Sequence, residues 1–423
     1  MGGYSVAVVG GGIVGVATAL TLQLDGHAVR LFDPREPGTA TSYGNAGGIV
    51  TNGFIPNATP GLWRRLPSML LDRDGPFSLR MRHLPRALPW FSAFLACSSG
   101  KRSTAIARDM APLTTAALDA HRVLVEKANA QSHVRPVGWL KIYRDPATVA
   151  GMTFDLGLLD HFGMRYDILG EDELRQLEPG LSRDFKAALF YPDSAFVSTP
   201  LDLTRAYLRC FLDHGGSWIR ENVIDFDDGP AGPQQLVTDS GRHGFDRLVI
   251  SAGAWSARLT RKLGVPVPLD CERGYHLRLA WDGETPKLGR PVVVGGPQFV
   301  LCPMANGLRL TGGVEFAGID AVPDFARIRR MVPIARKVLP GLGDEILEEW
   351  MGHRPSLPDS KPVIGRSTIH ERVWFAFGHG HTGLTLSAIT GRMVADGIAG
   401  RQAGIPLEPF RPDRFRGPLA PAA

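Results

Sequence analysis

Residues 5–33 read SVAVVGGGIVGVATALTLQLDGHAVRLFD. The opening run, rich in valine, is typical of a short strand that is buried on both faces. A helical pattern follows as far as Leu24, and a second apolar run then ends at Asp33. Strand, helix and strand in this order predict the first βαβ unit of a doubly wound α/β sheet.

The turn between this strand and this helix carries a G-x-G-x-x-G motif. Gly10 permits the tight turn, Gly12 lets the backbone approach a pyrophosphate, and Gly15 lets the helix pack closely on the strand. The N-terminus of the helix adds unpaired N–H groups and the positive end of its dipole. We therefore expect a dinucleotide to contact Gly10, Gly12, Ile13, Val14 and Gly15.

Asp33, at the end of the second strand, narrows the choice of nucleotide. An acid at this position hydrogen-bonds the ribose hydroxyls of an adenosine and disfavours the 2′-phosphate of NADP. The chain continues as a long loop of small residues, 34–48, whereas an NAD domain would pass quickly to its next helix. Such a loop could contact the second nucleotide half of an extended FAD molecule. Alternatively, it is an ordinary surface loop. The sequence thus favours FAD over NAD.

Composition and charge exclude several other classes of protein. The 423 residues are 44% apolar and 21% charged, an ordinary globular balance that predicts two or three domains. The net charge of +5 is small and its charges are scattered, so nucleic acid is not an expected partner. No apolar run reaches the length of a membrane span, and no signal sequence precedes the first strand. These features predict a cytoplasmic protein.

The metal-binding and redox-active residue types form no recognisable set. The four cysteines, Cys97, Cys210, Cys271 and Cys302, stand far apart without C-x-x-C spacing. We expect reduced, buried thiols rather than a disulfide framework or a zinc site. His379 and His381 have no cysteine or carboxylate close in sequence, so we expect no metal there either.

Four segments together resemble the FAD-dependent D-amino-acid dehydrogenases of the D-amino-acid/glycine oxidase superfamily: residues 6–33, 41–48, 353–365 and 378–385. The resemblance implies an α/β fold with an FAD-binding Rossmann-like domain and a second, substrate domain built on an antiparallel sheet. Strand patterns at 274–279, 291–294, 299–303 and 308–313 fit that sheet. The implied FAD domain is discontinuous and comprises residues 1–50, 196–265 and 351–405. The implied substrate domain comprises residues 51–195 and 266–350. Residues 406–423 are expected to form a tail that extends over the surface.

By the same resemblance the cofactor also contacts Thr41, Ser42, Asn45, Ala46, Gly47, Gly48, Val223, Ala252, Gly253, Gly380, His381, Thr382, Gly383, Leu384 and Thr385. Val223 is expected to contact the adenine through its backbone. The last six lie at the junction of a predicted strand, 373–377, with a predicted helix, 384–399: four between the two elements and two at the start of the helix. A glycine-lined junction of this kind directs backbone N–H groups and a helix dipole at the negative charge of a reduced flavin.

The substrate site needs a cation if the substrate carries a carboxylate. Arg354 lies in the segment that the family places above the flavin ring, and its planar guanidinium can hold a carboxylate with two parallel hydrogen bonds. The alternative is a structural ion pair. Tyr275 and His276 resemble residues that enter the same pocket, where Tyr275 would cover the substrate and His276 would touch it.

The resemblance implies oxidation of a D-amino acid, or of a D-imino acid such as D-proline or hydroxyproline. A hydride passes from Cα to flavin N5, and the imine gives the 2-oxo acid. Orientation and electrostatics carry such a reaction, so a side-chain base is not obligatory. Two alternatives stay open: an O₂-using amine oxidase of the glycine or sarcosine type, and a non-catalytic FAD-binding subunit.

The electron acceptor is suggested by residues 62–94, where six arginines lie among apolar and aromatic residues: Arg64, Arg65, Arg73, Arg80, Arg82 and Arg86. A basic, aromatic surface could contact anionic lipid or a quinone-bearing partner at the inner face of a membrane. The alternative is an ordinary helical part of the substrate domain with solvated arginines.

Overall fold

The computed structural model describes residues 3–64, 77–229, 232–281, 287–296, 299–402 and 404–415. The strands are β1 Ser5–Val9, β2 Ala28–Phe32, β3 Gly48–Ile49, β4 Phe77–Leu79, β5 Val134–Arg135, β6 Trp139–Tyr143, β7 Asp167–Leu169, β8 Ala187–Tyr191, β9 Ala195–Val197, β10 Ser217–Ile219, β11 Val223–Gly229, β12 Gly232–Thr238, β13 Arg242–Gly244, β14 Arg247–Ile250, β15 Asp270–Trp281, β16 Val292–Val294, β17 Phe299–Met304, β18 Gly307–Phe316, β19 Leu342–Ser356, β20 Val363–Arg366 and β21 Val373–Phe377. The α-helices are α1 Ile13–Leu24, α2 Leu84–Ala96, α3 Gly100–Lys127, α4 Pro146–Ala150, α5 Thr153–His161, α6 Glu171–Leu177, α7 Pro200–Asp213, α8 Ser256–Lys262, α9 Ala326–Arg330, α10 Val332–Val338 and α11 Gly383–Ile398.

A six-stranded sheet gathers pieces from the whole length of the chain. Its order is β10-β2-β1-β14-β21-β20, and only β20 runs antiparallel to its neighbour. Strands β1 and β21 are almost completely buried because α1 and α11 cover one face of the sheet, and α8 with strands β11 and β12 covers the other. The predicted α/β class and its βαβ unit are confirmed.

Helix α1 is apolar on nearly every face, which suits a helix that is surrounded by other elements of the fold. It packs against α7 and α11, and Gly391 of α11 lets the two helices approach so closely that a Cβ there would lie 3.0 Å from the Ala17 carbonyl oxygen. Residues on most of its circumference are therefore buried. This packing fixes the helix N-terminus at the end of β1, where the glycine motif lies.

A larger mixed sheet faces the first one. Its order is β19-β15-β18-β17-β16-β6-β8-β7, with β4 added beside β18. Its pairs run antiparallel except β16 with β6 and β4 with β18. The strands predicted between residues 274 and 313 are all present, as parts of β15 to β18. The domain limits stay a prediction, and the limit placed between residues 350 and 351 falls inside β19.

The C-terminal segment is held more tightly than the expected surface path. Residues 408–415 form two short 3₁₀ turns that bury Phe410 and Phe415. Arg414 pairs with Asp359 at 2.8 Å, and both side chains are largely buried. The tail residues 404–415 thus pack onto the segment that precedes β20, because two aromatic side chains and a buried ion pair anchor them.

Three other expectations meet the structure here. All four cysteines are free and buried. Within the described ranges, no helix combines the length and the apolar character needed to cross a bilayer. Of the basic segment 62–94, Arg65 and Arg73 lie outside the described residues, whereas α2 carries exposed Arg86 and exposed Leu88.

Candidate active site

A cleft with a volume of about 1120 Å³ lies between the two sheets. Residues that follow β1, β2, β14 and β21 line one side of it, and residues of β15, β18 and β19 line the other. Ligands of doubly wound sheets bind at the carboxyl ends of the parallel strands, which is the position of this cleft.

The glycine motif forms the turn that was expected of it. Gly10 has φ +113°, a conformation that favours glycine, and a Cβ on Gly15 would lie 1.9 Å from the Gly10 carbonyl oxygen. Gly10, Gly12, Ile13 and Val14 line the cleft, whereas Gly15 packs behind the turn. The N–H of Ile13 donates to the Ser42 hydroxyl at 2.9 Å.

Asp33 lines the cleft at the end of β2. Its carboxylate accepts hydrogen bonds from the backbone N–H of Gly11 at 2.7 Å and of Arg35 at 2.9 Å. These two bonds fix its orientation and leave acceptor positions on both oxygens, since a carboxylate has about four. The placement is compatible with the ribose contact predicted for this residue.

The loop 41–48 is held from three directions. Thr41 donates to the carbonyl of His353 at 3.0 Å, and Thr385 donates to the carbonyl of Gly48 at 3.0 Å. Arg309, on β18, donates to two further loop carbonyls, those of Tyr43 and Asn45, at 3.1 and 2.7 Å. Thr41, Ser42, Asn45, Ala46 and Gly48 line the cleft, whereas Gly47 packs on Val197.

Arg309 is a positioning residue that the sequence analysis missed. Its side chain is buried, and this burial lowers the pKa of its guanidinium, with Cys302 and Tyr43 opposing the shift. A charged residue inside the apolar strand pattern 308–313 was the available signal. A buried arginine needs acceptors, and here the carbonyls of the cofactor loop supply them.

The remaining predicted cofactor residues converge on the same cleft. Val223, Ala252 and Gly253 line it, and so do Gly380, His381, Thr382, Gly383, Leu384 and Thr385 at the start of α11. His379 is buried, bonds to the Thr390 hydroxyl at 3.0 Å and has its pKa lowered by burial to about 3, so it is neutral. Among the described residues, no cluster of side chains could hold a metal ion.

Arg354 reaches the cleft from β19. Its guanidinium lies over Gly274 of β15, where a Cβ would come within 2.1 Å of the Arg354 Cζ. Nη1 donates to the Gly313 carbonyl at 2.9 Å. Burial lowers the pKa of Arg354, and the charge of Glu272 opposes this shift. Within the described part of the chain Arg354 has no ion pair, so its charge is available to a bound anion.

Tyr275 does not reach the cleft, contrary to the sequence expectation. Its hydroxyl donates to Glu315 on the opposite face of the sheet, and its ring lies in the apolar core beside Phe325. Burial, followed by Glu315, raises the pKa of Tyr275 to about 12. Side chains alternate along a strand, so Tyr275 faces away from the surface that Gly274 exposes.

His276 lies on the cleft side of β15 but is covered. Trp350 stacks on its ring with the ring centroids 4.9 Å apart, and the centroid of the Tyr43 ring lies 6.0 Å from that of His276. The imidazole is fully buried, and burial, followed by the charge of Arg309, lowers its pKa to about 3. Trp350 itself lines the cleft.

Gly274→Ala tests the support of Arg354. The added methyl group would displace the Arg354 guanidinium, because the end of the arginine side chain is flexible and can move away from the backbone of β15. We expect KM for an amino-acid substrate to rise about 10- to 100-fold with FAD retained, because a shift of about 1 Å in a positioning group is enough for such a loss. Gly241→Ala, in a turn with open space around it, is the control. An unchanged KM would show that the position of Arg354 does not depend on Gly274.

The cleft fits FAD. Two glycine-lined strand-to-helix junctions, at α1 and α11, open into the same space, and a Cβ on Gly10 at the first of them would clash with the Ser251 carbonyl oxygen at 2.3 Å. Asp33 lies beside the first junction and Arg354 opposite the second. Backbone N–H groups and two helix dipoles suit the diphosphate of the cofactor and the charge of a reduced isoalloxazine ring.

Comparisons with known proteins agree with this geometry. The model of the family described as FAD dependent oxidoreductase matches residues 5–397. A D-amino-acid oxidase of Bradyrhizobium diazoefficiens is 34% identical over 98% of this chain and 99% of that protein. A D-amino acid dehydrogenase of Chromohalobacter salexigens is 29% identical over 95% and 97%. The crystal structure of glycine oxidase from Geobacillus kaustophilus superimposes with a TM-score of 0.76, at 22% identity, over 99% of this chain and 100% of that one.

Proposed function

Because the chain belongs to the FAD dependent oxidoreductase family, we propose that it oxidises a D-amino acid, or a D-imino acid such as D-proline or hydroxyproline, to the imine and then the 2-oxo acid. Membership confirms FAD as the cofactor and an amino-acid oxidoreductase as the class of enzyme. Bound FAD supplies the acceptor of the hydride that leaves Cα. The D configuration is supported by the names of the two relatives, a D-amino-acid oxidase and a D-amino acid dehydrogenase.

The observation that carries the proposal is the position of Arg354. Its guanidinium lies over Gly274, in a cleft that the flavin-end junction also lines. A carboxylate held there by two parallel hydrogen bonds has its Cα directed into the cleft. A subunit without catalytic activity would have no use for a partly buried arginine that, among the described residues, forms no direct ion pair.

Reduction of the flavin by a panel of amino acids tests this proposal. The purified protein is expected to be yellow, and its absorption near 450 nm, a general flavin band, is followed under anaerobic conditions. We expect D-amino or D-imino acids to bleach it and the L-enantiomers to leave it oxidised. A flavin that no amino acid bleaches would contradict the proposal and favour the non-catalytic subunit. Bleaching by L-amino acids alone would contradict the D configuration.

The second part of the proposal is a quinone or another acceptor at a membrane surface. Trp63, Met81 and Leu88 are 61%, 73% and 52% exposed. Exposed arginines accompany them, and Arg64 stacks on Trp63 at 5.0 Å. We expect the protein to sediment with vesicles of anionic lipid at low salt and to be released at high salt. Absence of sedimentation at low salt would contradict this acceptor surface.

An O₂-using oxidase is the second candidate, because the relative at 34% identity is named an oxidase. The reduced flavin distinguishes the two. Faster reoxidation by a soluble quinone analogue than by air would support the dehydrogenase, and rapid reoxidation by air would support the oxidase.

A further inference from the structure

We propose that Glu272, together with His381, binds the ammonium group of the substrate and passes on to water the proton that this group must lose before Cα is oxidised. This inference rests on the proposed function and adds a second recognition group to Arg354. Glu272 was absent from the sequence predictions, because its position beside the cleft depends on strand pairing.

Glu272 lies directly opposite Arg354 in the ladder between β15 and β19. Both residues line the cleft, and Glu272 is only 6% exposed. Directly paired residues of an antiparallel ladder have Cβ atoms about 4.5–5.5 Å apart. One carbon separates the carboxylate and the ammonium group of an amino acid. A substrate whose carboxylate is held by Arg354 therefore has its nitrogen close enough for a neighbouring carboxylate to reach.

The Glu272 carboxylate is oriented but not saturated. Its Oε2 accepts a hydrogen bond from His381 Nε2 at 2.7 Å, and the Ser356 hydroxyl provides a second bond. A carboxylate has about four acceptor positions, so two remain for a ligand. In the part of the chain that the structure describes, Glu272 pairs with His381 and not with Arg354. The space between the two charges is thus available to a molecule that carries both signs.

The charged groups around Glu272 keep it ionised. Burial alone would raise the pKa of Glu272, but His381 from the turn 380–382, and Arg354 and Ser356 from β19, overcome this effect. The resulting pKa lies below the usual range of a glutamate. A charged, buried carboxylate binds an ammonium group more strongly than a neutral acid would.

The reaction requires this proton to leave. An ammonium nitrogen has no lone pair with which to form the C=N bond. One N–H bond breaks, its electron pair stays on nitrogen, and the proton passes through Glu272 in transit, because a carboxylate with a lowered pKa does not retain it. The Cα–H bond then breaks, its two electrons leave with the hydride to bound FAD, and the nitrogen lone pair completes the iminium carboxylate. His381, whose side chain is 42% exposed, can return the proton from Glu272 to water.

Glu272→Gln separates this role from a structural one. The amide keeps the shape of the side chain but loses its charge and its basicity. With D-alanine as the probe, we expect kcat/KM at neutral pH to fall about a hundredfold. The loss should shrink as the pH rises toward the pKa of the free amine, because substrate that arrives unprotonated needs no proton acceptor. Binding of propionate, which lacks the amine, should change less than threefold.

Controls keep the outcome interpretable. Glu126→Gln, at an exposed position on α3, should match the wild type in every measurement. His381→Gln should show a smaller fall in kcat/KM and a similar dependence on pH, and it tests the pair even if Glu272→Gln does not fold. A Glu272→Gln enzyme with normal kcat/KM for D-alanine, or with equal weakening of D-alanine and propionate, would overturn the inference. A wild-type flavin that no amino acid bleaches would instead overturn the proposed function.

Discussion

Arg354→Ala is expected to raise KM for the amino-acid substrate by about a hundredfold to a thousandfold while the protein keeps its FAD. The partly buried guanidinium lies over Gly274, and its hydrogen bond to the Gly313 carbonyl fixes one edge. Removal of one partner from a desolvated charge pair costs about 2–5 kcal/mol, and each 1.4 kcal/mol corresponds to a factor of ten. Steady-state kinetics and the visible spectrum of the same preparation measure both quantities.

Arg366→Ala is the matched control, since Arg366 lies on β20 with its side chain exposed. It should leave KM and FAD content unchanged. Arg354→Lys should recover part of the lost affinity, because lysine restores the charge without the planar pair of donors. A near-normal KM for Arg354→Ala would remove Arg354 from carboxylate binding and would favour a purely structural role.

Gly15→Ala is expected to abolish FAD binding. A methyl group 1.9 Å from the Gly10 carbonyl oxygen cannot be accommodated by rotation of a side chain, because the obstacle is backbone. The turn would have to open or α1 would have to move away from β1, and either change removes the N–H groups that face the diphosphate. We expect a colourless protein after gel filtration, with no flavin regained from an excess of added FAD.

Gly157→Ala provides the comparison, because Gly157 lies within helix α5 with open space around its Cα. Alanine is the better helix former, so this variant should keep FAD and gain up to about 1 kcal/mol in the free energy of unfolding. A yellow Gly15→Ala protein with normal activity would contradict the assignment of the turn to the cofactor.

Features encoded by contiguous residues were predictable from the sequence. The turn at Gly10, the helix after it and the strand that ends near Asp33 depend on local spacing, and each lies where it was predicted. The strands of the larger sheet were predictable for the same reason. Their pairing was not, because the ladder that places Glu272 opposite Arg354 joins residues far apart in the chain.

The direction of side chains in β15 was only partly readable. Tyr275 and His276 are neighbours in one strand, and the alternation of a strand sends neighbours to opposite faces. At most one of the two could therefore contact the substrate, and this follows from the sequence alone. Tertiary packing decides which of the two residues faces the cleft. It also places Trp350 over His276. The same packing places the Arg354 guanidinium over Gly274, which has no side chain in the way.

The order of strands in the six-stranded sheet has a consequence for biosynthesis. Strand β21 pairs with β14, and α11 begins beside the flavin-end junction, yet both are translated long after the glycine turn at Gly10. During translation β14 presents an unpaired edge, and such edges are prone to pair with other chains. We therefore expect FAD to bind only after residues 373–398 have been synthesised. We expect chains that end before residue 373 to lack the flavin-end junction and to leave one edge of β14 without the partner it has in the complete fold.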